Sequence, residues 1–170
     1  TLFPYTTLFR SGVFRVLSVF LVDDHEIVRR GLIALLQGTG EIEVIADTGD
    51  VASTVALLPD LDVDVAVLDV QLPDGSGVDL CREIRDNNPF VKCLILTSFA
   101  DDEAYDAALV AGAKGYVLKD IRSNDLVDAV RRVARGETLL SDEAVERAKL
   151  RVQRRMMEDR RLESLSEQER

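Results

Sequence analysis

The chain carries one histidine, two cysteines and no apolar run long enough to span a bilayer. Without a second histidine, His25 reads as a solvated side chain beside an acidic pair, rather than a metal ligand or a phosphorelay station. Cys81 and Cys93 stand inside apolar patterns. They read as small core residues, not as a disulfide or redox pair. The lack of a disulfide framework is compatible with a cytoplasmic protein. Positive charge is short as well: 21 Lys and Arg against 31 Asp and Glu leave a formal net charge of −10. That balance argues against nucleic-acid binding by this chain itself.

What is present suffices for one ordinary domain with a proper core, plus a tail: 170 residues, 46% of them hydrophobic. Residues 1–11, TLFPYTTLFRS, stand apart. They show no periodicity and carry Pro4 in the middle. They resemble the conceptual translation of a sequencing-adapter oligonucleotide, and we read them as non-native. A signal peptide fits poorly, because a basic start and a cleavage pattern are missing.

The pattern turns on Val65-Ala66-Val67-Leu68-Asp69, followed by Val70-Gln71-Leu72-Pro73-Asp74-Gly75. A β-branched apolar run that ends in a carboxylate and a turn reads as a buried parallel strand. In open α/β sheets, that end of a strand is where ligands and chemistry sit. Two other apolar runs close the same way, on Asp23-Asp24 and on Lys119.

The spacing predicts strands over 17–22, 41–46, 63–69, 93–97 and 115–119. Between and after them it predicts helices to about Gln37, from the Asp50 cap through Leu58, over 77–86, over 101–111 and over 123–135. Gly38, Pro59, Gly112 and Gly136 are the expected stops. Strict alternation implies a parallel sheet covered on both faces. The expected fold is therefore α/β and doubly wound, a flavodoxin-like (CheY-like) five-stranded parallel sheet in the order 2-1-3-4-5 with a linker helix after it. In that order strands one and three are neighbours, which brings Asp23, Asp24 and Asp69 together.

From Asp142 onward the composition changes. Val145, Ala148, Val152 and Met156 mark a helical stripe amid dense charge. Eight acidic and eight basic residues make 142–170 neutral. Interleaved acids and the absence of aromatics favour a solvated linker or pairing helix over a nucleic-acid patch. The chain stops at Leu165-Ser166-Glu167-Gln168-Glu169-Arg170. Ser166 and Glu169 have capping-box spacing, so a new helix is expected to begin there, in a chain cut short.

Crowded carboxylates repel unless a cation neutralises them. A hard divalent ion with oxygen ligands does this, and Mg²⁺ suits a site that keeps waters and accepts a phosphate oxygen. A carboxylate beside such an ion can act as nucleophile toward a phosphoryl group. A lysine can neutralise the transferring oxygens. Thr97, closing strand four, supplies a hydroxyl near the same place.

Asp23-Asp24, Asp69, Thr97 and Lys119, with Tyr116 three residues before the lysine, resemble the receiver domain of bacterial response regulators. The phrases LVDDHEIVRRGL, LDVQLPDGSGVDL, LILTSF and GAKGYVLKDI are similar to the NarL/FixJ subgroup, especially its actinobacterial dormancy regulators. The resemblance implies a receiver over 16–137, a helical linker over 138–161 and, at 162–170, the start of a truncated LuxR-type helix-turn-helix domain. It implies that Asp69 accepts phosphoryl from a sensor histidine kinase. Asp24 would ligate Mg²⁺ directly, Asp23 mainly through water, and the Gln71 backbone carbonyl would complete the set with Asp69. Lys119 would pair with the phosphoryl group, and Thr97 with Tyr116 would form the switch. Homodimerisation on phosphorylation is implied too, with DNA contacted only through the missing C-terminal domain. One departure stands out: Asp120 follows the lysine, where many receivers have Pro in a cis peptide.

Two other classes fit less well. A haloacid-dehalogenase-like phosphatase needs a second Asp two residues after its nucleophile, and position 71 is Gln. A flavodoxin-like FMN carrier needs a Ser-, Thr- or Gly-rich first loop to cradle phosphate, and here that loop is Asp-Asp-His-Glu.

Overall fold

The computed structural model describes residues 15–98, 101–120 and 123–169, so the 1–11 segment lies outside the described residues. Five strands form one parallel sheet: β1 (Leu17–Val22), β2 (Ile42–Thr48), β3 (Val65–Asp69), β4 (Lys92–Thr97) and β5 (Gly115–Leu118). The spatial order is β2-β1-β3-β4-β5, with every pairing in the sheet parallel. This is the expected doubly wound arrangement.

Period-two alternation along each strand feeds two cores, one on each face of the sheet. Val19, Leu21, Val65, Val67, Leu94 and Leu96 point to one face. There they meet Leu36 of α1 (Glu26–Gln37) and Leu126, Val130 and Val133 of α5 (Ser123–Ala134). Phe20, Val22, Ala66, Leu68, Cys93 and Ile95 point to the other face. They meet Leu80, Cys81 and Ile84 of α3 (Gly77–Asn87) and Ala108 and Ala111 of α4 (Asp102–Ala111). β3 is buried along its whole length, as a central strand covered on both faces must be. Both cysteines are free and buried.

Several boundaries differ from the sequence-based expectation. β3 begins at Val65 rather than 63, although Val63 is itself buried. β2 extends to Thr48, whose hydroxyl is buried 2.7 Å from that of Thr54. α2 (Val51–Leu57) starts on the Asp50 cap, whose carboxylate accepts from the Ser53 N–H. It gives way to a 3-10 turn, Leu58–Asp60, rather than stopping dead at Pro59. Proline is tolerated in a first helical turn, where its missing N–H has no partner to lose. α4 ends at Gly112 with φ +86°, a left-handed cap that suits glycine.

The largest difference lies at the C-terminus, where α6 runs unbroken from Asp142 to Gln168. Ser141 caps it by accepting from the Ala144 N–H. Ser166 sits inside this helix and starts no new one. The residues before it, Arg160-Arg161-Leu162-Glu163, are strong helix formers with no breaker among them, so the backbone does not become extended as a cap requires. The predicted stripe packs only as far as Val152: Ala148 is buried, Val145 and Val152 are half-buried, and Met156 is exposed. Among the described residues, no helix is long and apolar enough to cross a membrane.

Candidate functional site

The C-terminal ends of β1, β3, β4 and β5 open on one side of the sheet into a cleft of about 480 Å³. Asp24, His25, Asp69, Gln71, Thr97, Tyr116 and Lys119 line it. The topology explains this. β1 and β3 are neighbours, so the residues that follow Val22 and Leu68 emerge side by side. Thr97 pairs with Leu118, one residue before Lys119, and the Lys119 N–H donates to the Thr97 carbonyl at 2.7 Å. No cis peptide occurs among the described residues, which include Lys119 and Asp120.

Lys119 is the hub. Its Nζ donates to Asp69 Oδ2 at 2.9 Å and lies 2.7 Å from Asp23 Oδ2. Asp23 Oδ2 is buried, and the Lys119 ammonium is the cation it faces. Asp23 is 1% exposed and Asp69 7%. Burial pushes the Asp69 carboxyl above the usual range; pairing with Lys119 offsets part of that, and Asp23 adds to it. Burial alone would lower the Lys119 ammonium, but Asp23 and Asp69 together outweigh it and hold the group above its ordinary value.

Asp23 and Asp69 thus share one ammonium, and the ligand-type atoms of Asp23, Asp24, His25 and Asp69 lie within 4.8 Å of one another. Three carboxylates this close, with one ammonium between two of them, leave surplus negative charge that fits a small divalent cation. Asp23, Asp24 and Asp69 could hold it.

Thr97 is buried at the cleft wall. Burial raises the Tyr116 phenol, and hydrogen bonding with the Thr97 side chain counters this in part. The Tyr116 ring meets Tyr105 of α4 edge-on, with centroids 5.5 Å apart.

Several supporting residues were not legible in the sequence. Arg29 donates to the Asp23 carbonyl at 2.6 Å and to Asp47 at 2.7 Å, tying the end of β1 to β2. Asp74, in the Pro-Gly turn, accepts from the Val51 and Ala52 N–H groups, and these bonds lower its pKa. The turn after Asp69 is thereby fastened to the start of α2. Gly77 passes so close to β3 that a Cβ there would lie 1.8 Å from the Asp69 carbonyl oxygen. A glycine at the start of a helix, eight residues after a strand-end carboxylate, was the available hint. His25, expected as a lone solvated side chain, is 68% exposed but has Nδ1 2.9 Å from Asp24 Oδ1.

The response regulator receiver domain family matches residues 19–131. The chain belongs to the response regulator receiver family. Over 129 residues this receiver is 50% identical to the DNA-binding transcriptional activator DevR/DosR of Mycobacterium tuberculosis, a match covering 76% of this chain and 59% of that protein. The chain therefore spans little more than half of that relative's length. Among solved structures, it resembles a LuxR-family two-component response regulator from Aurantimonas sp. SI85-9A1. The TM-score is 0.72 and the identity 30%, over 81% of this chain and 99% of that one. It also resembles RcsB, solved as two dimers bound to two parallel DNAs, with TM-score 0.69 and 26% identity over 79% of this chain and 68% of that one. The receiver's cleft is where the family's sheet architecture puts reactive side chains, at the carboxyl ends of the strands.

Proposed function

We propose that this receiver takes a phosphoryl group on Asp69 from a sensor histidine kinase and uses it to switch an attached DNA-binding regulator. The carrying observation is the Lys119 bridge between Asp69 and buried Asp23 at the mouth of the sheet. An Asp69 carboxylate oxygen attacks phosphorus, the P–N bond of the kinase phosphohistidine breaks, and the freed imidazole nitrogen takes up a proton. Lys119 holds Asp69 in place and then pairs with the incoming phosphoryl oxygens. Mg²⁺ bound by Asp23, Asp24, Asp69 and the Gln71 carbonyl would neutralise the charge that these acids and the phosphoryl group bring together.

The mark is read by Thr97 and Tyr116. Thr97 turns its hydroxyl toward the phosphoryl group, and the Tyr116 ring follows into the space behind it. Tyr116 rests on Tyr105, so this movement reaches α4. Homodimerisation follows, and DNA is contacted through a C-terminal helix-turn-helix domain beyond α6. Support for that output comes from the DNA-binding relative and from the DNA-bound RcsB dimers. The domain is a signalling module rather than a turnover enzyme, and the reading places it in the cytoplasm beside its kinase.

The test is direct. Incubation with acetyl phosphate and Mg²⁺ adds one phosphoryl mass to the wild-type chain and none to Asp69→Asn, at unchanged far-UV circular dichroism. Equal labelling of the two proteins removes the proposal.

A further inference from the structure

Cys81 and Cys93 are the only cysteines in the chain, twelve positions apart in sequence, and the fold makes them neighbours. Cys81 lies on the face of α3 that packs against the sheet, and Cys93 is the second residue of β4. Both sit in the same core, 0% and 3% exposed. Cys93 Sγ lies 4.0 Å from the Cys81 carbonyl oxygen, and Cys81 Sγ lies 3.8 Å from the carbonyl oxygen of Ala111, at the end of α4. The two thiols hydrogen-bond to each other. That bond lowers the Cys81 thiol below its ordinary value; burial opposes the shift, and the exposed Arg85 and Arg82 add to it. The same bond and burial push the Cys93 thiol well above its ordinary value. One sulfur therefore has thiolate character while its neighbour keeps a proton, the division between an attacking and a resolving thiol. Arg85 also folds over the Gly112 turn. The seam between α3 and α4 above Cys81 is thus closed there by a flexible side chain, which a small molecule can pass.

We propose that Cys81 and Cys93 form a redox-active dithiol, which hydrogen peroxide closes into a disulfide within the chain, tying α3 to β4. The Cys81 thiolate sulfur attacks one peroxide oxygen and the O–O bond breaks. The released hydroxide takes up the proton that Cys81 gave up and leaves as water, and Cys81 becomes a sulfenic acid. The Cys93 sulfur then attacks the Cys81 sulfur, the S–O bond breaks, and the departing hydroxide takes the Cys93 proton as a second water. Each sulfur loses one electron and the peroxide gains two. The proposed function places this chain in the cytoplasm, where disulfides are rare and those that occur are mostly transient and redox-sensing. The bond joins two elements that frame the cleft: α3 begins at Gly77 against the Asp69 carbonyl, and β4 ends at Thr97. It uses neither the acidic residues nor Lys119, so it stands apart from phosphoryl uptake.

The experiment treats the reduced full chain with hydrogen peroxide, removes the excess with catalase, then denatures the protein and alkylates it with iodoacetamide. Arg82, Arg85 and Lys92 lie between the two cysteines, so trypsin separates them unless a disulfide holds the pieces together. Treated wild type takes up no alkyl group, loses the mass of two hydrogen atoms and runs as a single chain on a non-reducing gel. Its digest contains one linked Cys81–Cys93 peptide pair that dithiothreitol separates, and its far-UV circular dichroism before denaturation is unchanged. Cys93→Ala lacks the resolving thiol, so the Cys81 sulfenic acid persists and is captured by dimedone, which labels wild type far less. Two thiols still open to alkylation after peroxide overturn the proposal. Bridges between chains, or sulfinic acid in wild type without a bridge, overturn it as well. A folded Cys93→Ala that gives no dimedone adduct overturns the assignment of Cys81 as the attacking thiol, and the wild-type peptide map tests the bond independently of that variant.

Discussion

Two acidic sites in this molecule are built in opposite ways. At the sheet mouth, Asp23 and Asp69 share the ammonium of Lys119, and Asp24 lies beside them. On α4, Asp106 is almost fully buried and faces two guanidiniums from α6. Arg151 engages both Asp106 oxygens at 2.8–3.2 Å, and Arg155 pairs with Oδ2. The first cluster is short of positive charge, with one ammonium for three acids. The second is saturated, each oxygen held by a fork of donors. An unsatisfied cluster has capacity for a cation and a phosphoryl group. A satisfied one has none and serves as a fastener. It clamps the first half of α6 to α4, beside the Tyr105 ring that touches Tyr116.

The contrast breaks most visibly from the fastener's side. Arg151→Ala combined with Arg155→Ala leaves Asp106 buried without a countercharge, at a cost on the order of 3 kcal/mol. α6 detaches so that the carboxylate can reach water. Amide exchange over 142–156 then accelerates strongly, while phosphoryl uptake on Asp69 persists. Loss of uptake with α6 still protected would erase the division of labour.

A smaller effect is expected at the pocket. Lys119→Met takes the ammonium from Asp23 and Asp69 and lowers stability at neutral pH by about 1–3 kcal/mol. Added Mg²⁺ restores more stability to this variant than it adds to wild type, because the negative cluster is deeper. Equal Mg²⁺ increments in urea unfolding would show that Lys119 and the cation do not share a site.

The smallest effect concerns the pH dependence of stability. The folded Asp69 carboxyl lies above its ordinary value. Between the ordinary and the raised value the folded chain holds more protons than the unfolded one, so this group makes stability fall as pH rises through that window. Asp69→Asn removes that slope. Its melting temperature exceeds that of wild type at neutral pH, and the two converge once the pH drops below the ordinary carboxylate range. A constant offset at every pH would locate the gain elsewhere.

Much of the site was legible because its members close strands. A carboxylate, a hydroxyl or an ammonium at the end of an apolar run announces itself in a pattern of period two, and the alternation with helices dictates which strand ends meet. Asp69, Asp24, Thr97 and Lys119 line one cleft for that reason, with buried Asp23 against Lys119. The helical stops at Gly112 and Gly136 were equally readable, since both take the left-handed backbone that glycine tolerates.

Strand order and the position of the acidic mouth thus follow from local periodicity and chain connectivity, which any single stretch of sequence carries. The Asp106–Arg151 pair, 45 residues apart, follows from neither. Nor do the imidazole over Asp24 and the missing Cβ of Gly77 against Asp69. These contacts depend on where helix surfaces come to rest after the core has packed. Only the tertiary structure decided which charges were left saturated and which were left short.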